Sequence, residues 1–276
     1  MFNLQAILDA IRMILSLLFL SYASWSDYKT REVSNTVWIL FAPPAFALTF
    51  IEILLYESAQ LIPRLISYGM CFGLTATLAV ILFYAGGFGG ADAKALMCLA
   101  IALPFYPSST LSPLSGEASP TSQLFFPITI FSNSVILVLV PVFWMISRNV
   151  WWRYNTRKRL FHGEQTKESI GKKILVFITG YKMPIGNLRK KWHIYPLEDI
   201  DENSESGFRR KLMVMPKDEG RNNVVDRLEK AVNAGVIEDQ VWASPGLPMM
   251  IPMILGLIVA LFLGDIVWSF VRLLLM

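Results

Sequence analysis

The sequence predicts an all-α integral membrane protein of six transmembrane helices, with a small α+β cytoplasmic insert between the fifth and the sixth. Three observations carry that fold class. The 276-residue chain is 54% hydrophobic and 17% charged, with a mean hydropathy of +0.47, whereas soluble domains are nearer about 25% charged. Much of it falls into apolar stretches of about 20 residues, the length a helix needs to cross hydrocarbon. Most of the lysines and arginines behind the formal net charge of +4 are confined to residues 148–245.

The apolar stretches place spans at roughly 4–26, 36–55, 65–87, 93–106, 124–147 and 248–272. The first contains Asp9 and Arg12 and has no small-residue cleavage site before Trp25, so it reads as a retained helix. The fourth is short, lying between a glycine cluster and Pro104 and Pro107, so it reads as extending only partly through the bilayer or starting within a re-entrant turn. Lys29 and Arg31 in the first loop, and Arg148, Arg153, Arg157, Lys158 and Arg159 after the fifth span, mark cytoplasmic sides. The 107–123 connection has no Lys or Arg and reads as an outer loop. Six crossings reconcile these assignments, with both termini outside a multi-pass protein of the cell membrane.

Residues 1–147 form the expected membrane core of five spans, 148–245 the cytoplasmic insert, and 246–276 the sixth span. In the insert, Val224, Val225, Leu228, Ala231 and Val232 recur at helical spacing, with Gly235 as the stop. Leu212–Met215 reads as a short strand and Glu198–Gly207 as a solvated loop. Trp151, Trp152 and Tyr154 beside Arg153 to Arg159 suit an interface with anionic lipid headgroups rather than nucleic acid. His162 and His193 are isolated, and Cys71 and Cys98 form no CxxC pair, so no metal or cofactor is expected and the cysteines read as small apolar packers.

Two carboxylates stand out by position. Asp27 ends the first span, and Asp92 comes after Gly86, Gly87, Gly89 and Gly90 at the end of the third, so both fall at the same membrane boundary. A carboxylate beside hydrocarbon is costly and marks a functional site by default. Two such groups held together share a proton, one serving as general base and the other as general acid. The structural alternative makes Asp27 a loop cap and Asp92 the N-cap of the fourth helix. The glycine cluster allows a non-helical turn at membrane depth; no Gly-Lys-Ser/Thr comes after it, which disfavours a phosphate loop. Lys94 either favours ionised Asp92 or snorkels to headgroups, and Arg31 with Glu32 either pair together or order the loop beside Asp27.

The segment from Ser24 to Asn35 and the later Gly89-Gly90-Ala91-Asp92-Ala93-Lys94 resemble the two signatures of the type IV prepilin peptidase family, and within it the archaeal preflagellin peptidases. The resemblance covers residues 1–147 and the last span. It implies a six-span membrane aspartyl protease with a GxGD turn. Asp27 and Asp92 would be its catalytic pair, supported by Gly89, Gly90, Ala91, Lys94, Arg31 and Glu32. It also implies, as partners, archaellin or type IV pilin-like precursors that lose a short basic leader. Ala91 departs from the pattern, which has glycine before the aspartate. The cysteine-rich domain of bifunctional bacterial members is absent, so their methyltransferase activity is not implied. A non-catalytic membrane scaffold or transporter, with the insert as a docking domain, is the competing class. It calls for mid-span charges or broken helices in paired halves, which the sequence does not display.

Overall fold

The computed structural model describes residues 4–201, 209–213, 220–246 and 248–275. Its first elements are α1 (Leu4–Thr30), α2 (Asn35–Leu54), α3 (Ser58–Tyr84), α4 (Gly90–Ala102), α5 (Pro120–Leu124) and α6 (Phe126–Thr156). Then come α7 (Ile170–Thr179), β1 (Tyr181–Met183), α8 (Ile185–Lys190), β2 (Tyr195–Pro196), β3 (Glu198–Asp201) and β4 (Arg209–Leu212). The last are α9 (Arg221–Asn233), β5 (Val241–Ser244), α10 (Met250–Phe262) and α11 (Ile266–Leu275). They form two compact units, residues 1–138 with 248–276, and residues 139–247.

In the first unit, α1, α2 and α3 are long and apolar enough to cross a membrane, as is α6; α10 with α11, bent by 53°, make a fifth candidate if taken as one span. Large apolar side chains such as Leu18, Ile39, Phe46 and Ile62 stand exposed on these helices, as lipid-facing residues of a multi-pass membrane protein do. The fourth stretch is short, as its sequence predicts. With 13 residues, α4 rises about 20 Å, less than the roughly 30 Å of hydrocarbon. It is instead buried among neighbours, with Ala93, Ala95, Leu96, Leu99 and Ala102 all enclosed. Its many alanines permit close helix approach.

A helix that ends inside a protein at membrane depth needs partners for its open carbonyls. Thr49 Oγ1 donates to the Ile101 carbonyl at 2.7 Å. Cys71 Sγ and the Phe126 amide donate to the Pro104 carbonyl at 3.2 and 3.0 Å. Cys71 is therefore a hydrogen-bond donor as well as a packer.

The expected sixth span, 248–272, is broken at Gly264, whose φ is +95°. Asn133 bridges the break, donating through Nδ2 to the Gly264 carbonyl at 2.9 Å and accepting from the Ile266 amide at 3.1 Å. Asp265 caps α11 by accepting from the Trp268 amide at 3.0 Å. The structure also shows how the charges that the sequence places in the first span are paired. Arg12 on α1 bonds Asp9 at 2.6 Å and Glu52 of α2, with all three side chains under a tenth exposed. Each member is paired because an uncompensated buried charge costs about 3–5 kcal/mol.

In the second unit, β1, β5 and β2 form an antiparallel sheet in that order, and β3 pairs with β4. The expected helix is α9, burying Val225, Leu228 and Ala231 and closed by Gly235 at φ +71°. The expected solvated loop begins instead as β3, with Glu198 fully buried. Arg210 makes this possible, donating to both Glu198 carboxylate oxygens at 2.6 and 2.9 Å, while the Trp242 amide donates at 3.1 Å. The rest of that expected loop, from Glu202 to Gly207, lies outside the described residues. The strand expected at Leu212–Met215 runs over Arg209–Leu212, and Val214 and Met215 lie outside the described residues.

Gly256 fixes how closely α10 approaches α6 in the first unit. A Cβ there would stand 2.1 Å from Ser134 Oγ and 2.6 Å from the Ile130 carbonyl oxygen. Gly256→Val is expected to cost about 1–3 kcal/mol through overpacking, read as a lower thermal midpoint in detergent. Gly73→Ala, where nothing lies within 4 Å, should leave that midpoint unchanged or higher.

Candidate active site

Asp27 lies in the last turn of α1. That helix ends because Arg31 adopts a left-handed φ of +58° while its amide donates to the Asp27 carbonyl at 3.0 Å. The turn from α1 into α2 is tied down locally. Ser26 Oγ and Thr30 Oγ1 both donate to the Glu32 carbonyl, at 2.8 and 2.9 Å, and Ser34 opens α2 by accepting from the Thr36 amide. The Asp27 carboxylate does not cap its own loop. Its Oδ2 accepts from the Met250 amide at 3.3 Å, at the N-terminus of α10, where a negative charge is favoured. Ser24 Oγ donates to the Met250 carbonyl at 2.8 Å, so two residues of α1 grip the first residue of α10.

Asp92 occupies the first turn of α4 and is 8% exposed. The N-cap is Gly89, not Asp92, and Asp92 Oδ2 accepts from the Gly89 amide at 2.9 Å. The preceding turn is set by Gly86 at φ +75°, with the Gly87 and Phe88 amides donating to the Leu82 carbonyl at 2.9 and 3.1 Å. Phe88 is buried edge-on to Phe131, ring centroids 5.5 Å apart, which anchors the turn. The glycines are unequal. A Cβ on Gly89 would lie 3.1 Å from Asp92 Oδ2, whereas one on Gly90 would meet only Phe83 Cε2 at an ordinary 3.7 Å. The GxGD pattern thus has a physical reading at its first two positions: the glycine is needed where a side chain would press on the carboxylate, and the free position comes next. Ala91 packs its methyl against the core cluster.

The two carboxylates lie within electrostatic reach of each other, and Arg31 is within reach of Asp27. Lys94 does not bond Asp92. Its Nζ donates to Asn35 Oδ1 at 2.6 Å, joining the start of α4 to the start of α2 and hence one signature segment to the other. Asn35 and the Met250 amide are the participants that sequence reasoning missed. The signal for Asn35 was its short amide at the end of the first segment; a backbone amide more than two hundred residues away left none. Among the described residues, no group of three His, Cys, Asp or Glu could hold a metal ion.

A type IV leader peptidase family profile matches residues 14–142, and one for the archaeal peptidase A24 C-terminus, type II, matches residues 172–266. Both stretches of the chain are thus similar to peptidase A24 proteins, the first to the type IV leader peptidases. Its curated relatives include the preflagellin peptidase of Methanococcus voltae, 24% identical over 93% of this chain and 97% of the relative. Another is the preflagellin peptidase of Methanococcus maripaludis, 23% identical over 94% of this chain and 98% of the relative. The chain therefore resembles those enzymes across both of its units, including the second, which the signature segments leave untouched.

Gly89→Ala is expected to displace the Asp92 carboxylate by a few tenths of an ångström. Cleavage of a precursor should fall by about tenfold or more, since small misplacements of catalytic groups are costly. Gly90→Ala should retain near-normal cleavage. Equal effects of the two substitutions in a membrane-based cleavage assay would contradict the geometric reading.

Proposed function

We propose that the chain is an aspartic endopeptidase that removes the short basic leader from archaellin or type IV pilin-like precursors, with Asp27 and Asp92 as its catalytic pair. One observation carries this reading. Two carboxylates from segments some sixty residues apart are brought within reach of each other at the ends of α1 and α4, each with one oxygen engaged by a backbone amide.

In this reading the carboxyl groups share a proton. The ionised one takes a proton from water, whose oxygen attacks the scissile carbonyl carbon. The protonated one gives its proton to the carbonyl oxygen, forming a tetrahedral diol. Collapse breaks the C–N bond as the protonated carboxyl passes its proton to the leaving nitrogen and the ionised one takes a proton from a diol hydroxyl, so one water is consumed and the pair is restored. The apparent pKa values belong to the pair rather than to either member.

The same reading places this site at the cytoplasmic membrane face, where a basic leader lies in water and the apolar helix behind it stays among the spans. Both termini are then outside and residues 148–245 cytoplasmic, which requires α4 and the segment after it to complete one crossing between α3 and α6. Exposed Trp151, Arg153 and Tyr154 on α6 suit anionic headgroups on that face.

Asp27→Asn and Asp92→Asn should each reduce cleavage of a tagged precursor by 10²–10⁴-fold, on the order of what positioned acid–base groups supply, at normal expression. The pH profile should be bell-shaped, falling at low pH as the base is protonated and at high pH as the acid ionises. A chelator should leave the rate unchanged. Persistent cleavage in either variant would overturn the pair.

A further inference from the structure

The second unit holds a buried cation that no carboxylate bonds. Lys182 on β1 is 5% exposed, with its Nζ 5.2 Å from the centre of the Trp152 ring and 5.8 Å from that of Trp242. Among the described residues it makes no hydrogen bond or ion pair. The nearby carboxylates are committed elsewhere. Glu198 is held by both nitrogens of the Arg210 fork, and Glu238 by Lys158 Nζ at 2.9 Å. These two pairs balance, leaving Lys182 uncompensated. Two tryptophan faces favour a cation but do not replace a counter-charge.

Lys182, Arg210 and His162 line one cavity of about 360 Å³, with Glu164, Glu238 and Gln240 also on its wall, and Glu164 is bonded by Lys167 Nζ at 2.8 Å. His162 Nε2 is buried and has no partner. The Arg159 carbonyl favours the protonated ring nitrogen nearest it, and with Nε2 left without a partner the proton of the neutral ring is assigned to Nδ1. Burial and the neighbouring Lys182 charge hold this imidazole below its ordinary pKa, so Nε2 presents a lone pair that calls for a donor. Burial also draws Lys182 down to about 8, which leaves it mostly charged at neutral pH. The cavity therefore offers an unpaired cation beside an unpaired acceptor.

We propose that this cavity binds hydrogen phosphate, whose oxygens accept from Lys182 and whose P–OH donates to His162 Nε2. The P–OH distinguishes this ligand from sulfate and from a phosphodiester headgroup. Sulfate carries no proton at neutral pH, and a phosphodiester headgroup has none to donate. This goes beyond the peptidase reading and concerns a separate site, so either can fail alone.

The test uses the full chain purified in detergent, titrated at pH 7 with sodium phosphate and, at matched ionic strength, with sodium sulfate. Phosphate should raise the thermal midpoint saturably and bind about tenfold more tightly than sulfate, the worth of one charge-assisted hydrogen bond. Lys182→Met fills the same slot between the tryptophans without charge and should abolish the phosphate response. In the unsubstituted protein, the imidazole NMR signal of one of its two histidines should shift with the same phosphate midpoint, a readout that needs no variant to fold. No saturable response, equal affinity for sulfate, or a full response in Lys182→Met would overturn the proposal.

Discussion

The first unit is organised around a short helix whose two ends lie in apolar surroundings, where every open backbone group needs a bonded partner. At its C-terminal end α4 is served by Thr49 from α2, with Cys71 from α3 closing the next carbonyl at Pro104. At its N-terminal end Asp92 turns back to the Gly89 amide. The same constraint that makes α4 foldable thus fixes one carboxylate of the proposed pair. It also explains why a side chain at Gly89 would be costly although its backbone lies in an ordinary extended conformation.

Asp27 plays the matching part for α10. Each aspartate engages a backbone amide at the N-terminus of a helix through one oxygen, and among the described residues neither has a hydrogen bond to the other. One oxygen of each group is therefore given to positioning, which leaves the other for the proposed chemistry. An asparagine can still accept from the same amide, so the charge is separable from the structural role. The Lys94–Asn35 bond ties α4 to α2 on the same side of the unit, which makes the approach of the two signature segments a property of the fold rather than of substrate.

The long helices were legible because hydropathy is local: α1, α2, α3 and α6 are each visible as an apolar run. Features that depended on distant partners were not. The short fourth stretch was placed at 93–106 whereas α4 runs from Gly90 to Ala102, because local hydropathy does not record that Asp92 turns back to the Gly89 amide or that Thr49 and Cys71 serve the far end. The break at Gly264 looked like continuous apolar helix because Asn133, which bridges it, lies over a hundred residues away. Glu198 read as solvated from its acidic neighbours, yet Arg210 and the Trp242 amide allow it to be fully buried. Local composition judges a charge by its neighbours along the chain, whereas burial is decided by the groups that lie across from it.

Cross-linking measures most directly whether Asp27 and Asp92 face each other in the folded chain, on which the proposed chemistry depends. Cysteines replacing both aspartates, in a chain whose own Cys71 and Cys98 have been changed to alanine, would be treated in native membranes with a short thiol-to-thiol reagent. Rapid cross-linking without added substrate is expected, seen as an intramolecular link between peptides from α1 and α4. Failure to link while each single cysteine is labelled readily would show that the carboxylates point apart and would contradict the shared site.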